Sequence, residues 1–402
     1  MSKGLLSDVL HRVPDLIIEI DGSNNITTHY EGRTFTFGSE ALGLLDAFGE
    51  DCRIDEALRR LAPRLVGRHA IKDVLACLIQ MREAGILTDE SRESFSDLTF
   101  PRGGYDAAYI HIRMLNDTVR KQAFLKAIQE VVSPNDVVLD LGTGSGILAV
   151  AAARAGARHV YALEPSSVIR IAKQVAQVNG VADRITFIRG WSSRIELPER
   201  ATVLTTDIIG NESLEMRIWE VLADARERLL TEDARLIPAS IATKVFLTEA
   251  PTELLRQYRA DTDHVKAWEL AYGIDFSPFV HARGEAQHGR FYIEPHHAAE
   301  WPALSQPVTA YEVDLTTEPR SFVTEKELVV DHAGTGTALV AFLEARLSQS
   351  VTLSTAPWNG NKASHWYCVC SAFAAPMSVA TGDRLPFRYS YQGDGRSVLQ
   401  PL

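Results

Sequence analysis

The sequence has few cysteines, no long apolar run and no excess of basic side chains, and each absence excludes a class of protein. Four cysteines in 402 residues are too few for a disulfide framework, so we expect a reducing compartment, the cytoplasm. No uncharged apolar run reaches about 18 residues, and the N-terminus lacks the apolar core of a signal peptide, so no membrane partner is expected. The net charge of −11 disfavours nucleic acid as a partner, because phosphate binding needs a basic surface.

The apolar pattern divides the chain into three regions and a linker. Over residues 1–92, short alternating strands followed by three helical patterns predict a small α+β domain of winged-helix type. Residues 93–104 contain proline, glycine and polar side chains, as a linker does. Residues 105–238 alternate strand and helix, which is typical of a doubly wound, Rossmann-like α/β sheet. From 239 to 402 the period of the apolar pattern falls toward two residues, as in β-strands, which predicts a β-barrel-like domain.

The strongest motif is the stretch VVLDLGTGSGIL. An acid, Asp140, precedes glycines spaced so that the backbone can turn tightly and approach a ligand, namely Gly142, Gly144 and Gly146. Glu164 ends the next strand, where a carboxylate can bind both hydroxyls of a ribose. The motif resembles motif I of class I S-adenosylmethionine-dependent methyltransferases, which implies an enzyme with that cofactor. The alternatives are a nicotinamide cofactor and glycines that serve packing alone.

Further segments resemble the protein arginine methyltransferase family over about residues 100–402. IHIRMLNDTVR, at 110–120, is similar to the segment that folds over the cofactor, and SHWYCVCSAF is similar to the Thr-His-Trp loop with Ser364 in place of threonine. KAWELAYGIDFS, at 266–277, resembles the dimerisation arm that interrupts the barrel. The resemblance implies a homodimer, with an arm at about 250–285.

The same resemblance implies roles for individual residues around the cofactor. Arg120 would pair with its methionine carboxylate and Glu164 with its ribose. Met114 would pack near the sulfonium, and His111 would belong to the same lid. The adenine would be contacted by one of two serines at the position of a family acid, Ser192 or Ser193.

The sequence contains two histidine features for which we expect different roles. By the resemblance, Asp117 and His365 would form a pair near the acceptor, and a histidine oriented by a carboxylate can take a proton. The alternative for His365 is a histidine satisfied in the core. His296 and His297 are adjacent, so on a strand they would point to opposite faces, and no metal site is expected.

The stretch TTDIIGNESLEM corresponds to the family's hairpin with two glutamates that clamp an arginine. Asp207 takes the first position without gaps, while the second falls on Met216 with Glu215 one residue early. Capping of the following helix is the alternative for Glu212. We therefore expect an acceptor other than an arginine held by two glutamates.

The N-terminal region resembles the PqqD-like peptide-binding domain, which takes a leader peptide as an added strand. Residues 34–37 and the helix around 69–84 would form that site. Over residues 1–91 there are 15 acidic and 10 basic side chains, a net charge of −5 that disfavours DNA. The resulting hypothesis is a peptide methyltransferase that modifies a ribosomally synthesised precursor recognised through its leader. The alternatives are a general protein arginine N-methyltransferase, a non-catalytic peptide- or DNA-binding regulator, and an N-terminal domain that only stabilises the dimer.

Overall fold

The architecture comes from a computed structural model, which divides the chain into two compact units, residues 1–101 and residues 102–402. The model describes residues 7–13, 16–20, 25–30, 33–49, 51–65, 70–89, 108–258, 261–281, 289–393, 395 and 397–402. The expected linker at 93–104 lies outside these residues. The expected boundary near residue 238 falls inside the second unit and remains our proposal.

Among its described residues, the first unit contains two small antiparallel sheets and three α-helices. One sheet has the order β2-β3-β4 and the other the order β5-β1-β6. The strands are β1 (Val9–Arg12), β2 (Ile17–Ile20), β3 (Ile26–Tyr30), β4 (Arg33–Phe37), β5 (Cys52–Arg53) and β6 (Leu87–Thr88). The helices are α1 (Glu40–Ala47), α2 (Ile54–Leu61) and α3 (Ala70–Glu83). Their apolar faces form a core of their own, with Leu44, Phe48 and Met81 fully buried.

The described part of the second unit starts with two helices, followed by a parallel sheet of the order β11-β10-β7-β8-β9. The strands are β7 (Val137–Leu141), β8 (His159–Glu164), β9 (Ile185–Arg189), β10 (Ala201–Thr206) and β11 (Leu230–Ile237). The helices are α4 (Ala108–Asn116), α5 (Thr118–Val131), α6 (Ile147–Arg154), α7 (Ile169–Val178) and α8 (Ile218–Arg228). The strand order reverses between β7 and β10. In open parallel sheets ligands bind outside the carboxyl ends of the strands at such a reversal.

The rest of the second unit is mainly antiparallel β structure. One sheet joins β13-β18-β16-β12-β14, with β17 beside β16, and the other has the order β15-β19-β20. The strands are β12 (Ser240–Thr248), β13 (Arg290–Ile293), β14 (Val308–Asp314), β15 (Phe322–Val329), β16 (Gly334–Arg346), β17 (Thr352–Ser354), β18 (Cys368–Val379), β19 (Arg384–Tyr391) and β20 (Ser397–Pro401). Both sheets contribute to a shared core in which Val245, Leu339 and Phe387 are fully buried.

Short helices interrupt this β region between β12 and β14. They are α9 (Thr252–Arg256), α10 (Thr262–Tyr272), α11 (Pro278–His281) and α12 (Pro295–Ala298). The segment α9–α11 occupies the expected arm and exposes large apolar side chains, with Leu270 90% and Tyr272 67% exposed. None of the helices in the described ranges combines the length and apolar character that a bilayer crossing requires.

Candidate active site

The glycine turn lies at the reversal point, between β7 and α6. Gly142 has a φ of +76°, and a Cβ there would lie 2.7 Å from the side chain of Ile208. A Cβ on Gly144 would lie 3.3 Å from the ring of His111. Both positions therefore require glycine, for conformation and for space. Asp140 is fully buried beneath the turn and accepts a 2.5 Å hydrogen bond from Thr143, while burial raises its pKa to about 7.

Glu164, at the end of β8, faces the same turn. Its two carboxylate oxygens accept hydrogen bonds from the backbone amides of Gly144, at 2.9 Å, and Ser166, at 3.0 Å. These bonds fix the carboxylate in one orientation, and each oxygen still has a lone pair for a further donor. Glu164 thus lies where a ribose-binding carboxylate is expected.

Arg120 is a buried arginine in the first turn of α5. Its guanidinium lies 3.7 Å from the ring centroid of Trp366, and its Nε donates to Asp207 at 2.9 Å. Within the described part of the chain, its Nη1 atom is buried without a hydrogen-bond partner. A buried unpaired donor costs about 1–3 kcal/mol, and a ligand carboxylate would satisfy it. Arg120 therefore fits the expected contact with the methionine carboxylate of the cofactor.

The carboxylate of Asp207 is already shared by two cations. Its side chain is 6% exposed and accepts hydrogen bonds from Arg120 and, at 2.6 Å, from Lys121. Burial opposes ionisation, but the two positive charges more than offset it and hold the pKa of Asp207 below its usual value. Lys121 is a residue that the sequence did not single out, because a lysine beside an arginine in a helix is usually solvated. An acceptor at Asp207 must share this carboxylate with both cations.

The two glutamates that follow have different surroundings. Glu215 is half-buried and accepts hydrogen bonds from the amide of Asn211, at 2.8 Å, and the hydroxyl of Tyr292, at 2.9 Å. Glu212 is buried and pairs with Arg290 and Ser397, although burial raises its pKa. Glu212 is therefore held within the protein by an ion pair rather than by helix capping. Glu215 remains as the second candidate for the acceptor site.

The structure corrects the expected side-chain pair of Asp117 and His365. Asp117 caps α5 and accepts hydrogen bonds from Asn361 Nδ2, at 2.8 Å, and from the backbone amide of His365, at 2.9 Å, rather than from its ring. Among the described residues, Nδ1 of the imidazole is buried without a partner. Burial, together with the positive charges of Arg120 and Arg113, lowers the pKa of His365 to about 4. The imidazole is thus neutral at physiological pH, and Asp117 holds the backbone of the Ser-His-Trp segment.

That segment also binds the loop that contains the acidic residues. Trp366 Nε1 donates to the carbonyl of Ile209 at 2.8 Å, and the amide of Tyr367 donates to Asn211 Oδ1 at 2.9 Å. The first turn of α5, the loop after β10 and the segment before β18 are therefore one cluster, although about 250 residues separate its ends.

The remaining predicted cofactor residues lie on two elements, α4 and a turn after β9. His111 is buried and Met114 half-buried on α4, and the ring of His111 closes over the glycine turn. Ser192 and Ser193 start a single 3₁₀ turn after β9. Arg228 donates to the carbonyl of Ser192 at 2.7 Å, which holds this turn beside α8.

Comparison with known proteins places this geometry among methyltransferases. The family model "Ribosomal protein L11 methyltransferase (PrmA)" matches residues 121–243. "Probable histone-arginine methyltransferase CARM1" of Oryza sativa subsp. indica is 30% identical over 285 residues, which cover 68% of this chain and 53% of the relative. "Protein arginine N-methyltransferase 1" of Schizosaccharomyces pombe is 35% identical over 174 residues, covering 42% and 48%. The chain spans about half the length of these curated relatives.

Solved structures give the same result at the level of the fold. The Trypanosoma brucei PRMT1 enzyme–prozyme heterotetrameric complex with AdoHcy aligns with a TM-score of 0.62 and 24% identity, covering 71% of this chain and 89% of that one. Arabidopsis thaliana protein arginine methyltransferase 10 aligns with a TM-score of 0.60 and 20% identity, covering 74% and 98%. The aligned part of the chain therefore shares the fold of these two proteins. The Rossmann-like domain and the β-barrel-like domain are thereby confirmed.

These findings confirm one prediction and overturn another. The matched region confirms the S-adenosylmethionine-dependent methyltransferase domain expected from the glycine motif. The expected maturation of a ribosomally synthesised peptide is wrong, because the relatives bear the names of arginine methyltransferases and so support the alternative. The same names favour arginine over the acceptor that we expected, one other than an arginine held by two glutamates.

Proposed function

We propose that this chain is an S-adenosylmethionine-dependent protein arginine N-methyltransferase. The observation that carries the proposal is the position of Arg120. Its guanidinium lies on Trp366 and pairs with Asp207, and its Nη1 has no hydrogen-bond partner among the residues that the structure describes. Arg120 thus connects two parts of the site. Its Nη1 can bind the carboxylate of the cofactor, and its Nε donates to Asp207, in the loop that contains the protein carboxylates proposed to bind the acceptor. The names of the relatives supply the acceptor, an arginine side chain.

The site residues divide into those that hold the cofactor and those that face the acceptor. S-adenosylmethionine supplies an electrophilic methyl group when bound. Arg120 would hold its carboxylate and Glu164 its ribose, while His111 and Met114 would cover it from α4. A cofactor held and covered in this way would be shielded from water and oriented toward the acceptor, and orientation is a large contribution to transfer between bound partners.

Of the two candidate carboxylates, Glu215 provides negative charge for the acceptor. A guanidinium nitrogen becomes more positive as it forms a bond to the methyl carbon, and a fixed carboxylate stabilises that charge. Tyr292 and the amide of Asn211 hold Glu215, so its orientation is set before the acceptor arrives. The charge of Asp207 is neutralised by Arg120 and Lys121, so we propose that Glu215 makes the main contact with the guanidinium of the acceptor.

The proposal is tested with labelled S-adenosylmethionine and an arginine-rich protein acceptor, with fragmentation of the product to locate the methyl group. We expect the label on arginine, and we expect Glu215→Gln to lower turnover strongly, because the amide retains the shape but not the charge. Glu253→Gln, at an exposed position on α9, is the matched control and should be as active as the wild type. A methyl group on another side chain would contradict the proposal.

We also propose a cytoplasmic homodimer formed through the arm. The four cysteines are free thiols, which suits a reducing compartment. The exposed Leu270, Tyr272 and Phe279 on α10 and α11 are large apolar side chains of the kind that protein interfaces bury. Sedimentation should show a dimer for the wild type and a monomer for Leu270→Asp, while equal masses for the two proteins would refute the role of the arm.

For the first unit we propose a winged-helix-like, PqqD-like domain that binds an extended segment of the protein acceptor. In the described residues of this unit, two three-stranded sheets and three α-helices support the assignment, and β4 lies at the edge of its sheet with one side unpaired in the described sheet. An edge strand can bind an extended chain through backbone hydrogen bonds. Amide exchange should slow in β4 when an acceptor protein is added, and unchanged exchange there would argue against the site.

A further inference from the structure

Three side chains outside the methyl-transfer site converge at the start of α12. Nε2 of His296 lies 3.5 Å from Oε2 of Glu294, and Nδ1 of His297 lies 3.9 Å from the same oxygen. The two imidazole rings have centroids 4.1 Å apart. Adjacent side chains would diverge on a strand, but Pro295–Ala298 is helical. Successive side chains on a helix are about 100° apart, so neighbouring histidines can share a side with the preceding glutamate.

We propose that Glu294, His296 and His297 bind a zinc ion, with water as the fourth ligand. Two imidazole nitrogens and one carboxylate oxygen are a donor set that zinc uses in sites that retain an open position. With zinc–ligand bonds of about 2.0–2.1 Å, tetrahedral donor atoms lie roughly 3.4 Å apart. The three donor atoms here all lie within 4.8 Å of one another, so small side-chain rotations complete the site.

The exposure of the three side chains indicates an exchangeable ion rather than a structural one. Glu294 is 36%, His296 26% and His297 53% exposed. A structural zinc site is closed and buried among four protein ligands, whereas this site opens to solvent on one side. Zinc can therefore enter and leave without unfolding the barrel.

The proposed site is connected to the helix that faces the cofactor region. Nη2 of Arg113, on α4, lies 3.9 Å from Oε1 of Glu294 and donates to the hydroxyl of Tyr367 at 3.0 Å. Zinc at Glu294 would neutralise the carboxylate that attracts Arg113. Loss of one such partly exposed ion pair changes an equilibrium by about two- to fivefold. Zinc should therefore weaken the attachment of α4, and with it the affinity for S-adenosylhomocysteine, by about that factor.

The test is titration calorimetry of the full-length, untagged protein with zinc chloride after removal of metals by a chelator. We expect one zinc ion per chain for the wild type, with at least about tenfold weaker binding for His296→Ala, His297→Ala and Glu294→Gln. His332→Ala, at an exposed histidine elsewhere in the barrel, is the matched control and should bind zinc as the wild type does.

Two results would overturn the site. One is the absence of one-to-one zinc binding by the wild type, and the other is equal affinity in the wild type and in the His296→Ala/His297→Ala double variant. The connection to α4 has its own readout. Zinc should lower the affinity of the wild type for S-adenosylhomocysteine and leave that of the double variant unchanged, and equal responses would disprove the connection.

Discussion

Lys121 donates a 2.6 Å hydrogen bond to Asp207, and both side chains are almost fully removed from solvent. Burial lowers the pKa of Lys121, whereas the charge of Asp207 opposes that effect. A buried ion pair of this kind becomes costly when one partner is removed, because the other charge stays in a medium of low dielectric constant. Asp207 has a second partner in Arg120, so one carboxylate compensates two buried cations.

Because of this arrangement, we expect Asp207 to contribute to the stability of the fold as well as to function. Asp207→Asn removes the carboxylate that accepts hydrogen bonds from both Arg120 and Lys121, so the free energy of unfolding should fall by about 3–5 kcal/mol. Urea unfolding at neutral pH measures the change, and Asp263→Asn, at an exposed site on α10, serves as the control. A loss below about 1 kcal/mol, the size of an exposed pair, would show that the buried pair does not stabilise the fold.

The orientation of Glu164 leads to a prediction about the cofactor. Its oxygens are held by the amides of Gly144 and Ser166, and each has a lone pair left for a ribose hydroxyl. Since a hydrogen bond to a charged group contributes about 1.5–3 kcal/mol, Glu164→Ala should weaken the binding of S-adenosylhomocysteine by about tenfold or more. Calorimetry measures this, with Glu199→Ala, at an exposed ion pair, as the control. Unchanged affinity in Glu164→Ala would remove the residue from the cofactor site.

His365 should make the protein sensitive to acid. Its pKa is lowered to about 4 in the folded chain, against about 6.5 when unfolded. Between these values the unfolded chain binds more protons at this residue, so its contribution to stability rises with pH and is lost as pH falls from 6.5 toward 4. In His365→Asn the free energy of unfolding should therefore change less over this window than in the wild type. Urea unfolding at several pH values tests this, and parallel curves would contradict it.

The two compact units should be separable. Residues 1–101 and 102–402 each bury a core of their own, the first around Leu44 and Phe48, the second around β7 and β10. A chain of residues 102–402 should unfold cooperatively and bind S-adenosylhomocysteine as tightly as the full chain does. Circular dichroism and calorimetry check both points. An insoluble or non-binding fragment would show that the second unit needs the first to fold.

The sequence predicted the elements of the cofactor domain because their signals are local. Continuous apolar runs gave the parallel strands, and the glycines after β7 marked the turn at which backbone and ligand approach one another. Glu164 ends β8 and accepts a hydrogen bond from the amide of Gly144 in that turn. These assignments need only a stretch of chain and the order of the strands.

The choice of partners among polar side chains was decided by the tertiary structure alone. Asp117 binds the backbone of His365 rather than its ring, Glu212 pairs with Arg290, and Lys121 turns inward to Asp207. The paired residues are 248, 78 and 86 positions apart in the sequence, respectively. Periodicity shows which face of an element is buried, but not which distant charge it will meet there. Burial makes each pairing obligatory, because an uncompensated charge in the interior costs more than its hydrogen bond contributes, and only the packed chain determines which partner satisfies it.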